Sequence, residues 1–345
     1  MGVTVPRFFQ DRFYLVRYEI WHWKVYKIAR SLLTQIKIDV IHHVTIANLW
    51  NCGHLWKLDV PFVLGPISGA QKTRRAGYRF LRFRDQIYEL RRDLLFYIAW
   101  GIWKRPIRAL EKARLVLASN PESVEKFKKV RKDRSVLLFS DGGVNSLTET
   151  GDNHSIRKDD GCLRLLWVGE LRPRKNFGLL LEALKVLPSE VLWSLRIAGK
   201  DKLYDYWREK VQRSELEGRI TFLGRVEHSQ IGEHYRWADV FVFPSLREAT
   251  GTVILEAMSY QLPVIALNVH GARFLVDEGC AIRIPVVTRN QMVNDFRDAI
   301  IKLYRDPELR IRMGEVGKRR VTEEYLWEKR GEKMNQIYRE AVGIQ

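Results

Sequence analysis

Residues 240–266, VFVFPSLREATGTVILEAMSYQLPVIA, carry the reading that decides the fold. After Asp239 comes a short apolar run, β-branched and aromatic, that stops at Pro244-Ser245, as a buried parallel strand does where it meets its loop. A helix is expected from about Gly251, with Thr250 or Thr252 as its cap and Val253, Ile254, Ala257 and Met258 as an apolar stripe at helical spacing. Glu248 then falls in the loop and Glu256 about one turn into the helix. The turn offers free backbone N–H groups and the positive end of a helix dipole, which favour an anionic phosphate. Carboxylates beside it suit hydroxyls. Glu256 can accept two hydrogen bonds from a vicinal diol such as a ribose, and Glu248 can face a sugar or steer a phosphate. Two glutamates at this spacing in a plain context are ordinary surface charges.

Working outward, residues 163–169 read as a strand, 177–187 as a helix, 194–199 as a strand, 204–217 as a helix, 219–224 as a strand and 229–237 as a helix, before the strand and helix above and a further strand at 262–267. Such alternation predicts a parallel sheet with helices on both faces and ligands at the carboxyl ends of the strands. Gly169-Glu170-Leu171-Arg172-Pro173-Arg174-Lys175-Asn176 leaves the first of these strands for the mouth of a helix. Lys175, with Arg174, would point positive charge at a diphosphate there, although a basic loop without a ligand reads the same way. Gly271, in the loop after the last strand, would let backbone approach a ligand closely. Residues 146–161 are polar and aperiodic, a linker. In the N-terminal half, residues 39–45, 63–69, 113–120 and 136–139 read as strands with their exit loops.

The 240–266 segment resembles the Glu, seven residues, Glu motif of retaining nucleotide-sugar glycosyltransferases of family 4. The likeness includes Pro244-Ser245, Gly251, Glu256-Ala257-Met258 and Pro263-Val264-Ile265. It implies a GT-B fold: an α/β chain of two Rossmann-like domains with parallel sheets facing a cleft. The resemblance divides the chain into an acceptor-side domain at 1–155, a nucleotide-sugar domain at 156–325 and a C-terminal helix at 326–345 crossing back to the first. It assigns Glu256 to the nucleotide ribose, Glu248 to the donor sugar and Lys175 to the diphosphate. Gly169, Arg174, Thr250, Gly251, Thr252 and Gly271 are expected around the donor.

Three positions depart from the family pattern. Gln261 stands where a helix-ending Gly is usual, Glu170 stands where the family has Arg, and Arg172 or Arg174 could compensate for the latter. The family histidine belongs five residues after Asp39, where Val44 stands. His43, or His42 beside it, is the candidate, with a structural histidine at a strand end as the alternative. The opening strand, Gly-rich loop and first helix of the acceptor domain look absent, so the N-terminal domain is expected to be incomplete by about two βα units. In the family, retention proceeds by front-face attack, the leaving diphosphate taking the acceptor proton. Neither a protein nucleophile, a metal nor a cofactor is demanded.

At 345 residues with 46% hydrophobic content the chain has room for two domains and is not disordered. Cys52, Cys162 and Cys280 are scattered without metal-ligand spacing, which suits a reducing compartment. No secretory signal leads the chain, and the longest apolar stretch, 94–103, is far short of the roughly 20 residues that span a bilayer. The net charge of +18 admits nucleic acid, an anionic membrane surface or a polyanionic substrate. No nucleic-acid motif accompanies it. In residues 71–112 arginines alternate with Tyr78, Phe80, Phe83, Tyr88, Phe96, Tyr97, Trp100 and Trp103, and residues 8–27 are similar in character. These read either as interfacial helices facing anionic lipid or as amphipathic helices covering a core with snorkelling cations. The first alternative points to a lipid-linked or lipopolysaccharide-type acceptor and to a cytoplasmic protein peripheral on the inner face of the plasma membrane. Two other classes stay open: a non-catalytic relative that binds a nucleotide sugar or another protein, and a nucleotide-sugar enzyme such as an epimerase.

Overall fold

The computed structural model describes residues 14–44, 46–72, 75–132, 135–145 and 161–344, with side chains from residue 16. The linker read at 146–161 lies outside the described residues except for Gly161, as do residues 8–13 of the first aromatic segment and Thr45. The chain forms two compact units. One comprises residues 1–70, 99–141 and 333–345, the other residues 71–98 and 142–332. This differs from the single division expected near residue 155: residues 71–98 belong with the C-terminal unit, because Tyr78, Phe80 and Leu81 enter that unit's core.

The first unit has helix α1 (Tyr14–Leu32) and a four-stranded sheet of β1 (Ile41–His43), β2 (Phe62–Ile67), β3 (Leu115–Ala118) and β4 (Val136–Leu138). Every pairing is parallel and the order is β1-β2-β3-β4, with β1 at an edge. Side chains alternate across the strands. Phe62, Leu64 and Val116 meet Leu110 and Phe127 on one face, whereas Val63, Leu115 and Leu117 meet Phe139, Ile337 and Ala341 on the other. Asn120 begins the helix at Pro121–Arg131 by accepting the Ser123 N–H at 3.0 Å, with Pro121 in the first turn where its missing N–H costs nothing.

The second unit opens with α2 (Arg75–Tyr78) and α3 (Phe83–Ile102), the latter belonging here as far as Ile98. Its sheet runs through β5 (Leu163–Val168), β6 (Trp193–Ala198), β7 (Ile220–Gly224), β8 (Val240–Phe243), β9 (Val264–Leu267) and β10 (Ala281–Ile284). The order is β10-β9-β8-β5-β6-β7, all parallel. Strands β8 and β9 are buried along their whole length, which their unbroken apolar runs require when helices cover both faces. Counted within the unit, this is the doubly-wound order 3-2-1-4-5-6 read backwards. Strand order reverses between β5 and β8, and the loops leaving their carboxyl ends flank the switch point. Those loops carry Lys175 and Glu248. Helix α9 (Thr252–Ser259) follows β8, and no helix among the described residues is long and apolar enough to cross a membrane.

Candidate functional site

The site begins with the backbone of β5. Gly169 leaves the strand at φ +149, and its N–H donates to the Ala198 carbonyl at 2.9 Å. A Cβ at Gly169 would lie 3.3 Å from Lys175 Cε and Nζ, so the bare backbone makes the seat on which Lys175 lies. Lys175 itself ends a 3-10 turn at Pro173–Lys175. Its ammonium is 2.8 Å from Glu248 Oε1, with both side chains largely buried at 8% and 13% exposure, and it sits 5.1 Å from the centre of the Phe243 ring. Burial pushes the Lys175 pKa down, and the neighbouring Glu248 carboxylate opposes that shift.

Arg174 donates to the same Glu248 oxygen and, at 3.2 Å, to the Arg247 carbonyl. Two cations therefore share one carboxylate. The cluster keeps one surplus positive charge in a largely buried place, which suits an anionic ligand. Of the two arginines that could replace a cation at Glu170, Arg174 is the one in the cluster. Arg172 instead pairs with Asp201 at 2.6 Å and Glu170 at 2.9 Å on the exposed flank.

On α9, Glu256 Oε2 accepts the Tyr235 hydroxyl at 2.8 Å. Oε1 takes no donor among the described residues. Tyr235 is fully buried, stacks on Tyr260 at 5.2 Å, and is held in its phenol form by burial first and the Glu256 carboxylate second. This partner has no signal in the sequence, since Tyr235 sits 21 positions upstream in another helix, Ile231–Trp237.

The expected threonine cap on α9 is replaced by Gly251. It occupies the N-cap at φ +90, where a left-handed backbone favours glycine, and no side chain caps the helix. Thr250 is buried and Thr252 is exposed at the helix start. The backbone of Gly142 lies against both, since a Cβ there would meet their methyl carbons at 2.8 and 3.0 Å.

Gly271 lies against the loop that carries Glu248. A Cβ there would run into the Thr250 carbonyl and come within 2.7 Å of the Ala249 oxygen, and its N–H faces the Glu248 carbonyl at 3.4 Å. Its bareness lets this turn pack against the loop of Glu248. Two residues the sequence reading passed over hold that loop as well: Gln71 donates to the Glu248 carbonyl at 2.6 Å, and Glu89 accepts from Arg247 at 3.1 Å.

The histidine candidates lie in the first unit. His43 is buried, its ring 5.0 Å from that of His22. His42 Nε2 donates to the Gly65 carbonyl at 2.6 Å, so its Nδ1 accepts from the Tyr338 hydroxyl at 2.8 Å, a bonding pattern of a neutral structural ring. Burial lowers the His42 pKa further. Val44, at the position where the resemblance expects histidine, is exposed.

Residues 152–320 match the family model described as glycosyl transferases group 1. This stretch belongs to the group 1 glycosyl transferases. The glycosyl transferase domain so defined contains every residue of the Lys175–Glu248 cluster and Glu256. Among curated proteins, the chain is 38% identical over 111 residues to O-antigen chain mannosyltransferase B of Escherichia coli, a match covering 30% of this chain and 28% of that protein. The chain spans 28% to 54% of the length of the curated relatives it matches.

Several solved structures align with most of the chain. Sucrose-phosphate synthase from Thermosynechococcus elongatus has a TM-score of 0.65 at 23% identity, over 93% of this chain and 78% of that one. HepE of Anabaena, solved with UDP and glucose, has a TM-score of 0.58 at 17% identity, over 90% and 80%. At these identities the likeness concerns the fold, which is of the GT-B type.

Proposed function

We propose that the chain transfers a hexose from a nucleoside diphosphate sugar to an acceptor hydroxyl with retention of configuration. The observation that carries this reading is the Lys175, Arg174 and Glu248 cluster at the β5/β8 switch point inside a group 1 glycosyl transferase domain. Lys175 and Arg174 take the diphosphate, and the first-turn amides of α9 add partial positive charge as the leaving group gains negative charge. Glu248 holds both cations in place and turns to a hydroxyl of the donor sugar. Glu256, fixed by Tyr235, offers its second oxygen to the ribose. The leaving diphosphate accepts the acceptor proton, so the step requires no protein nucleophile, metal or cofactor.

The O-antigen relative and the +18 charge support a glycan or lipid-linked acceptor in cell-surface polysaccharide or lipopolysaccharide assembly, with the protein peripheral on the cytoplasmic face of the membrane. Calorimetry with UDP, GDP and ADP and their common sugar conjugates, on the wild type and Glu256→Ala, tests the donor site. One diphosphate should bind and lose at least about tenfold in affinity in the variant, the loss expected for a charge-assisted hydrogen bond. Binding of none by folded protein would sink the reading. Glu170, which puts an acid at the family's Arg position, favours a second reading in which the chain binds a nucleotide sugar without turning it over. Binding without transfer to any acceptor would support that one.

A further inference from the structure

Helix α3 is inside out. In an ordinary surface helix the apolar stripe faces the core and charges face water. Here the acids turn inward: Asp85 and Glu89 are buried, Glu89 at 3% exposure, and Asp93 is half-buried. They form a ladder of ion pairs and hydrogen bonds with their own unit. Asp85 binds Arg82 at 2.6 Å, Glu89 binds Arg92 at 3.2 Å and Arg247 at 3.1 Å, and Asp93 accepts the Tyr78 hydroxyl at 2.5 Å. The outward face is apolar, with Phe83 (78% exposed), Tyr88, Leu94, Leu95 and Tyr97 (70% exposed) standing in solvent. Scattered exposed apolar residues need no account, but a whole helix face does.

Charge identifies the occupant. With every acid of the helix directed inward, the charges left exposed on it are Arg84 and Arg91, and Lys72 lies over the Tyr97 ring at 5.4 Å. Apolar and aromatic side chains interspersed on their own helix with exposed arginines complement an anionic lipid surface, where rings and leucines enter the headgroup boundary and arginines meet phosphates. A second copy of this strongly basic chain would bring like charges together on the same face.

We propose, resting on the lipid-linked acceptor reading, that the outward face of α3 is the membrane-docking surface and that Glu89 couples it to the donor loop. Arg247, which Glu89 holds, precedes Glu248 in the chain. A helix seated on a bilayer opens less often, so the loop held on its inner side is steadied at the same time.

Flotation with vesicles of phosphatidylglycerol and phosphatidylcholine, or of phosphatidylcholine alone, tests docking without donor or acceptor, so that failure here leaves the glycosyl transfer reading intact. The wild type should float with the anionic vesicles only. Leu94→Glu with Leu95→Glu, both at exposed positions, should lower that fraction at least about tenfold by removing buried apolar area, and Arg84→Glu with Arg91→Glu should do likewise by removing the attraction to lipid phosphate. Equal flotation of wild type and variants, flotation of none, or a wild-type dimer that the leucine substitutions dissolve would overturn the docking. Amide hydrogen exchange over residues 246–251 should slow when anionic vesicles are added to the wild type and not in Glu89→Gln. Glu89→Asp, which keeps the charge but retracts it, serves where Glu89→Gln does not fold. No slowing in the wild type, or equal slowing in the variants, overturns the coupling.

Discussion

Lys175 is a cation that its surroundings discourage. Desolvation lowers its pKa and Glu248 holds it up, with a smaller contribution from Glu170, so its charge depends chiefly on the Glu248 carboxylate. Diphosphate affinity should therefore fall as pH rises through a Lys175 pKa lying below the ordinary 10.5. Glu248→Gln should move that fall to lower pH, which calorimetry from about pH 7 to about pH 10 would resolve. A midpoint that does not move would count against the pair. Lys175→Ala should cost about 10²-fold to 10³-fold in donor turnover, as loss of a preorganised charge at a leaving group does. The acids and the lysine were legible because their spacing is tied to strand and helix ends. Tyr235, Gln71 and Glu89 were not, because each reaches the site from another part of the chain. His22 resists protonation: packed by Tyr18 and Trp21 at 4.5 and 4.8 Å, it has a pKa lowered from 6.5 to about 4, mainly by burial. Between those values the unfolded chain binds a proton that the folded chain refuses, so stability declines as pH falls through the window, by about 3 kcal/mol at its acid end. The pH dependence of urea midpoints for wild type and His22→Phe should diverge there and coincide above about pH 7.

Helix α9 shows what a single residue does to an element. Its end is a Schellman arrangement: the Leu262 N–H reaches the Ala257 carbonyl at 3.1 Å and the Gln261 N–H reaches Met258 at 3.0 Å, with Gln261 left-handed at φ +59. This is the position at which the resemblance expects glycine, and the expected local cost is visible as a side chain held in a conformation that favours none. Gln261→Gly should raise stability by up to about 1 kcal/mol, measured by urea denaturation. Gly314→Ala should lower it by about 1–3 kcal/mol, because a Cβ there meets the Gln261 carbonyl and forces α12 (Pro307–Glu324) off α9. Strands β5 to β9 were readable from β-branched and aromatic runs bounded by Gly or Pro. β10 was not read, and its intermediate Ile282 and Arg283 show why: at the sheet's edge the apolar run is short and broken. The aromatic and arginine content of α3 was equally plain. Its direction was hidden, since the charges that turn it inward find a partner 158 positions away at Arg247.

At the scale of the whole molecule, the C-terminal unit borrows residues 71–98 from the N-terminal half. Gly77 is bare where Leu246 packs over it, and Phe80 lies over Gly178. A fragment of residues 142–332 alone should therefore melt well below the same unit supplied with residues 71–98. The loss should be on the order of 6 kcal/mol, from about 2 kcal/mol for each of Tyr78, Phe80 and Leu81. Equal melting temperatures would show the borrowed segment to be a passenger. The switch point has a bearing on the chain's history as well as its chemistry. Strand β8 must come to lie beside β5 after two intervening strand and helix pairs have formed, and Arg174 waits 74 positions for Glu248. At a synthesis rate of about 5–20 residues per second, that wait is roughly 4–15 seconds. During those seconds the nascent chain carries two cations without the acid that will hold them. The cluster of Arg174, Lys175 and Glu248 closes only after three further strands, β6, β7 and β8, have been made.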